Sequence, residues 1–144
     1  MKKLLVVFLL GCALYGYIDT HPGVIRTITG PATAGGRSLA TAYEHRQSNI
    51  QVSGSGRVVR MLADDNNGSR HQKFIIRLAS GQTVLVAHNI DLAPRIDGLR
   101  EGDTVEFFGE YEWNAKGGVV HWTHHDPNGY HESGWVRHKG RVYQ

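Results

Sequence analysis

The alternation of hydrophobic and polar positions changes character once along the chain. Residues 4–18 form an almost unbroken apolar run, LLVVFLLGCALYGYI, whereas from residue 49 onward apolar and polar residues alternate with a period of two. A period of two is that of a β-strand with one buried face. The pattern therefore predicts a mostly β domain that follows a short hydrophobic N-terminal segment.

Five strand-like segments are each bounded by residues that favour turns. They cover residues 50–62, 72–78, 83–88, 104–113 and 119–123. The fourth alternates most cleanly, since Val105, Phe107 and Tyr111 share one face. Glu110 and Glu112 fall on the other face, which we expect to point outward.

Three strands, a connection at residues 89–101 and then a hairpin form the strand order of an OB-fold. We therefore expect a small five-stranded OB-fold-like barrel over about residues 50–125, with an SH3-like barrel as the alternative. The GRSLATAYEHRQ segment, residues 36–47, predicts one helix before the barrel. Residues 126–144 are expected to form an irregular, His-rich tail, so that residues 36–144 make a single domain.

The N-terminal residues 1–18 are typical of an export signal, because Lys2 and Lys3 precede the apolar run. The LLGC sequence that ends at Cys12 resembles a lipoprotein cleavage box, in which the cysteine is lipidated. The second alternative is an uncleaved anchor, although fifteen apolar residues fall short of the roughly 20 that span a bilayer. The third alternative is a cleaved signal peptide. Each alternative places the folded part outside the cytoplasm, in the periplasm or on the cell surface. A lipidated Cys12 or an uncleaved anchor also makes the membrane a partner, with residues 19–35 as a tether.

Charge and cysteine content narrow the candidate ligands. Cys12 is the only cysteine, so a metal in the folded domain must be held by nitrogen and oxygen atoms. The formal net charge of +3 falls to +1 without Lys2 and Lys3, since fourteen basic residues then face thirteen acidic ones. Nucleic acid is a weakly supported partner, because the basic residues are scattered among acids. The oligomeric state stays open.

Four of the nine histidines lie within fifteen residues near the carboxyl end. If the fifth strand continues to residue 125, His121 and His125 share a face, and Asp126 follows directly. With His131 or His138 returning from the tail, such a set suits Zn²⁺ or a similar divalent ion. We thus predict a metal site at His121, His125, Asp126 and His131. The alternative is that these histidines cap the barrel rim by bonding backbone carbonyls.

Further polar residues would surround the barrel mouth, where OB-fold loops flank the binding face. Carboxylates and arginines there suit metal-dependent cleavage of a phosphodiester. The candidate catalytic residues are Asp65, His71, His88, His121 and His125. The candidate ligand-binding residues are Arg77, Asn89, Asp91, Arg95, Glu112 and Trp122.

These polar residues also have ordinary structural explanations. The composition of the loop at residues 63–70 is typical of a solvated turn. The glutamates of the fourth strand can simply form its outward, solvent-facing side. Asn89 suits an Asx turn that opens the following connection. The function therefore stays open between a metal or small-ligand binding protein, a metal-dependent hydrolase, and an envelope binding or scaffolding module.

Four phrases carry a family likeness: DDNNGSRHQKFIIRL, SGQTVLVAHNIDLAPRI, GEYEWNAKGGVVHWTHHDP and GWVRHKGRVY. Together they resemble the bacterial proteins catalogued as domain of unknown function 3465, over about residues 45–144. The resemblance implies an exported protein. It supplies no reaction and no catalytic residue.

Overall fold

A computed structural model describes residues 37–144. The predicted export segment, with the candidate lipidation site Cys12, and the predicted tether at residues 19–35 lie outside the described residues. Within residues 37–144, no helix has the length and apolar character needed to cross a membrane.

The described chain contains one short helix and eight strands. In order they are β1 (Arg37–Ser38), α1 (Leu39–Glu44), β2 (Ile50–Met61), β3 (His71–Arg77), β4 (Thr83–Asn89), β5 (Thr104–Glu112), β6 (Val119–His121), β7 (Trp135–His138) and β8 (Arg141–Tyr143). The helix is shorter than the predicted 36–47. The chain leaves the helical conformation at Arg46 and Asn49, which have positive φ angles of 51° and 56°.

The strands close into a five-stranded barrel, and the predicted OB-fold-like architecture is confirmed. Around the barrel the order is β2, β3, β4, β6, β5 and back to β2, which pairs with both β3 and β5. The β4–β6 pair is parallel, and the other pairs in the ring are antiparallel. A hairpin thus connects β5 to β6, while the longer connection at residues 90–103 lies between β4 and β5.

The barrel interior is filled by the alternating apolar residues of each strand. In β5, Val105, Phe107 and Tyr111 are buried as predicted, and the glutamates point outward. Each such side chain stabilises the fold by roughly 2 kcal/mol through burial. Tyr111 donates a hydrogen bond from its hydroxyl to the Gly117 carbonyl, 2.9 Å away. Burial raises the pKa of Tyr111 to about 12, so this donor keeps its proton.

Gly109 interrupts the inner face of β5 because β6 passes too close for a side chain. A Cβ atom there would lie 2.5 Å from the carbonyl oxygen of His121. The glycine therefore permits the tight β5–β6 contact on which the position of His121 depends.

The C-terminal residues are more regular than the predicted irregular tail. The long irregular stretch is confined to residues 122–134; after it β7 pairs with β5, and β8 pairs with β7. The sequence WVRH alternates, and Val136 and His138 are buried at 0% and 4% exposure. The end of the chain therefore completes the sheet beside the barrel.

Candidate functional site

The site lies on the outer face of β5 and β6, where the antiparallel register pairs Glu110 with His121. Paired residues of an antiparallel ladder project to the same face with Cβ atoms about 5 Å apart. Glu112 lies two residues along β5 and shares this face. Local strand geometry alone thus brings two carboxylates and one imidazole together.

One atom from each of Glu110, Glu112 and His121 falls within 4.8 Å of the other two. The His121 Nε2 atom is 3.5 Å from Glu110 Oε1 and 3.7 Å from Glu112 Oε1. This Nε2 atom is buried and, among residues 37–144, has no hydrogen-bond partner. We call these three residues the Glu–Glu–His cluster.

His131 reaches the cluster from the irregular segment. Its Nε2 donates to Glu110 Oε2, and its Nδ1 donates to the Glu132 carbonyl at 2.8 Å. Burial by itself would lower the pKa of His131, but these two hydrogen bonds outweigh it and raise the pKa above its ordinary value. The ring also stacks on Trp122 with centroids 4.1 Å apart. The hydrogen bond from His131 therefore fixes the orientation of the Glu110 carboxylate.

Asp126 holds the loop that delivers His131. Its carboxylate accepts backbone N–H groups from Asn128, Tyr130 and His131 at 2.8–3.0 Å. The bonds from Asn128 and His131, followed by that from Tyr130, hold the pKa of Asp126 below its usual range. Asp126 is thus a loop-forming residue, and its oxygens face the backbone.

The predicted metal set of His121, His125, Asp126 and His131 is not brought together in the described residues. The reason is Trp122, whose φ of 52° ends β6 at His121, so that His125 never joins that strand. His125 is exposed, and its Nδ1 contacts the Ser133 hydroxyl at 2.9 Å. The expected convergence holds only for His121 and, through Glu110, for His131.

The candidate catalytic residues also do not come together at one site. His88 is fully buried: its Nε2 donates to the Pro94 carbonyl at 3.1 Å, and its Nδ1 accepts from the Thr123 hydroxyl at 2.8 Å. Burial lowers the pKa of His88 to about 4. Both ring nitrogens are therefore occupied in a neutral imidazole, which leaves none for acid–base chemistry.

Asp65 and His71 form a local backbone bridge with each other. Asp65 also accepts the Asn67 N–H, and the His71 ring contacts the Ser69 carbonyl at 2.8 Å. These contacts shape the loop between β2 and β3. Of the five candidate catalytic residues, only His121 belongs to the Glu–Glu–His cluster.

Three of the candidate ligand-binding residues stabilise loops. Asn89 Oδ1 accepts the N–H groups of Asp91 and Leu92, which is the Asx turn considered above. Asp91 accepts the backbone and side-chain N–H groups of Arg70, and these bonds lower its pKa. Arg95 forms an ion pair with Asp64.

The other three ligand-binding candidates differ from one another. Glu112 belongs to the cluster, and Trp122 supports it through His131. Arg77 lies at the end of β3, away from both. The sequence placed Glu110 among the carboxylates around the barrel mouth, with an outward strand face as the alternative, but did not select it as a candidate ligand. Its position opposite His121 in the β5–β6 hairpin was the signal that could have identified it.

Comparison with known proteins identifies a family for this chain but does not assign it a reaction. A family model described as "Protein of unknown function (DUF3465)" matches residues 24–144. No curated protein matches the chain. A functional conclusion therefore has to come from the geometry of the site.

Proposed function

The chain belongs to the DUF3465 family of proteins of unknown function, and from that premise we propose that its barrel binds a divalent metal ion at Glu110, Glu112 and His121. The observation that carries the proposal is the Nε2 atom of His121. This atom is buried between two carboxylates, and no group in the described part of the chain forms a hydrogen bond with it. An unsatisfied buried nitrogen is costly unless a ligand completes it.

The spacing of the donor atoms fits a metal. Ligand atoms about 2.1 Å from a tetrahedral zinc ion lie about 3.4 Å from one another. The two Nε2–Oε1 distances of 3.5 and 3.7 Å are close to that value. Two carboxylates and one imidazole suit Zn²⁺ or a similar ion, and three protein ligands leave a coordination position open.

His131 supports the same interpretation from behind the cluster. Metal-ligating side chains are commonly oriented by a hydrogen bond from a further residue. The bond from His131 to Glu110 Oε2 leaves Glu110 Oε1 facing His121.

The geometry supports metal binding better than hydrolysis. Three of the candidate catalytic residues, His88, Asp65 and His71, form structural hydrogen bonds.

Titration calorimetry with Zn²⁺ on metal-free, untagged protein tests the proposal. We expect one equivalent to bind, and Glu112→Gln to weaken binding at least about tenfold through loss of a charged ligand. Glu106→Gln is the matched control, since Glu106 lies on the same outer face of β5 but pairs with Arg137.

His125→Ala separates the site seen in the structure from the one predicted from sequence. If the Glu–Glu–His cluster holds the ion, this variant should bind zinc with the same affinity as the unmodified protein. Less than a tenth of an equivalent bound by the unmodified protein would remove the proposal. Equal weakening by the Glu106 and Glu112 variants would show that general surface charge holds the ion.

We also propose that this domain works outside the cytoplasm, tethered to the membrane through residues 1–18. Support comes from the two N-terminal lysines and from the apolar run at residues 4–18, which contains Cys12. If Cys12 is lipidated, Cys12→Ser changes the mass of the mature protein and releases it from the membrane fraction. An unchanged mass and membrane fraction would indicate an uncleaved anchor.

A further inference from the structure

A second constellation lies on the barrel wall, in a groove of about 480 Å³ next to β2 and β3. Arg57 and Arg77 line this groove and are direct partners in the β2–β3 register. Both side chains are exposed. Within residues 37–144, neither guanidinium has an ion pair or a hydrogen bond.

Two like charges placed directly opposite each other destabilise a strand pair. Within residues 37–144 the nearby acids form no ion pair with either arginine, because each contacts another group. Glu106 pairs with Arg137, Asp103 pairs with His138, and Glu101 accepts the Met61 backbone N–H. Among the described residues, the two guanidinium groups therefore keep their N–H donors available to a ligand in a concave surface.

We propose that this groove binds a phosphate group, as a free small phosphate or as part of a compact phosphate ester or headgroup. Guanidinium groups bind phosphate oxygens through paired N–H donors, and two of them match its charge. The Ser55 and Thr104 hydroxyls line the same groove and supply further donors. The volume lies within the range of small-ligand sites.

The lining of the groove favours a compact ligand over single-stranded nucleic acid. Binding of a single strand relies on aromatic side chains that stack on successive bases. Beside the arginines and hydroxyls the groove presents Gly56, Val59 and Leu78, and no aromatic residue contributes to its lining. A phosphate bound between the guanidinium groups needs no such platform.

This site is separate from the proposed metal site. None of the residues that line the groove belongs to the Glu–Glu–His cluster. Glu112→Gln should therefore leave phosphate binding unchanged, and Arg77→Gln should leave zinc binding unchanged. Either proposal can fail without affecting the other.

The test is calorimetric titration of the folded protein with inorganic phosphate and pyrophosphate in metal-free buffer without chelator. In parallel, vesicles of phosphatidylcholine with and without phosphatidic acid show whether a lipid headgroup is a source of the same chemistry. Arg57→Gln and Arg77→Gln remove one guanidinium each. Arg141→Gln is the control, because Arg141 lies on β8 and packs over Tyr143.

We expect saturable binding of one anion, weakened at least tenfold by either groove variant and unchanged in Arg141→Gln. The double variant Arg57→Lys with Arg77→Lys keeps the charge but loses the paired donors, so it should also bind more weakly. Equal weakening in Arg141→Gln would overturn the site. So would the absence of binding at millimolar anion and to both vesicles.

Discussion

His88 lies in an environment very different from that of a free side chain. It lies inside the barrel wall between Thr123 and Pro94, with no exposed surface. Burial lowers its pKa from 6.5 to about 4, so the folded protein resists protonation that the unfolded chain accepts. His88 therefore couples the stability of the barrel to pH.

The sign of this coupling follows from the depressed pKa. As the pH falls below 6.5 the unfolded state takes up the proton first, so the stabilisation present at neutral pH is lost between pH 6.5 and about 4. The loss amounts to about 3 kcal/mol. His131 acts in the opposite sense, because its raised pKa stabilises the fold at low pH and this contribution is lost as the pH rises through the folded value.

Substitution isolates the contribution of His88. We expect His88→Gln to lower the free energy of unfolding at pH 7 by about 2–4 kcal/mol, through lost packing and hydrogen bonds. Because the variant has no imidazole to protonate, its deficit relative to the unmodified protein should almost vanish at pH 4. Urea denaturation at pH 7, 5.5 and 4 measures both proteins. A deficit that stays constant across this range would contradict the proposed burial.

At the scale of elements, the segment of residues 122–134 completes the candidate metal site on the outer face of β5 and β6. It begins where Trp122 ends β6 and crosses back over β5 to place His131 on Glu110. Gly134 marks the closest approach, since a Cβ atom there would lie 2.1 Å from the Trp122 carbonyl oxygen and 2.5 Å from that of Phe108. The crossing therefore depends on the lack of a side chain at this position.

Gly134→Ala should displace the segment from β5. We expect a loss of more than about 2 kcal/mol in stability, since neither backbone oxygen can yield easily, together with weaker zinc binding as His131 leaves Glu110. Gly129→Ala is the control: its Cβ meets open space, and the positive φ of 70° costs only about 1 kcal/mol. Similar losses in both variants, measured by urea denaturation and calorimetry, would contradict the close crossing.

At the scale of the whole molecule, the end of the chain is part of the barrel's support. Strand β7 pairs with β5 beside β6, and Val136 and Tyr143 join the core. His138 donates to Asp103 at 2.8 Å, and this bond holds the pKa of Asp103 below its usual range. The hairpin of β7 and β8 therefore closes an edge that β5 would otherwise expose.

A chain that stops after Gly134 should fail to fold cooperatively. It loses the buried Val136, His138 and Tyr143 and leaves half of β5 unpaired on one edge. In the full chain, far-ultraviolet circular dichroism and tryptophan fluorescence should report one shared thermal transition. A truncated chain that retained this transition would show that the hairpin is dispensable.

The sequence by itself determined the five-stranded barrel and the residues that fill its core. Alternation in β5 identified Val105, Phe107 and Tyr111 as core because the period of two is a local property of the backbone. Turn residues marked the limits of the segments, and the lengths of the connections between them indicated the strand order of an OB-fold. Family membership followed from phrases that lie along the chain in linear order.

Only the tertiary structure decided which histidine meets which acid. The imidazole-rich stretch drew attention to His125 and Asp126, yet a single left-handed residue, Trp122, redirected the chain and left His125 exposed. Glu110 and His131 are 21 residues apart, and their contact needs both the β5–β6 register and the return of the irregular segment. Contacts of this kind depend on chain reversals that the local hydrophobic pattern does not encode, so the candidate site emerged from the fold.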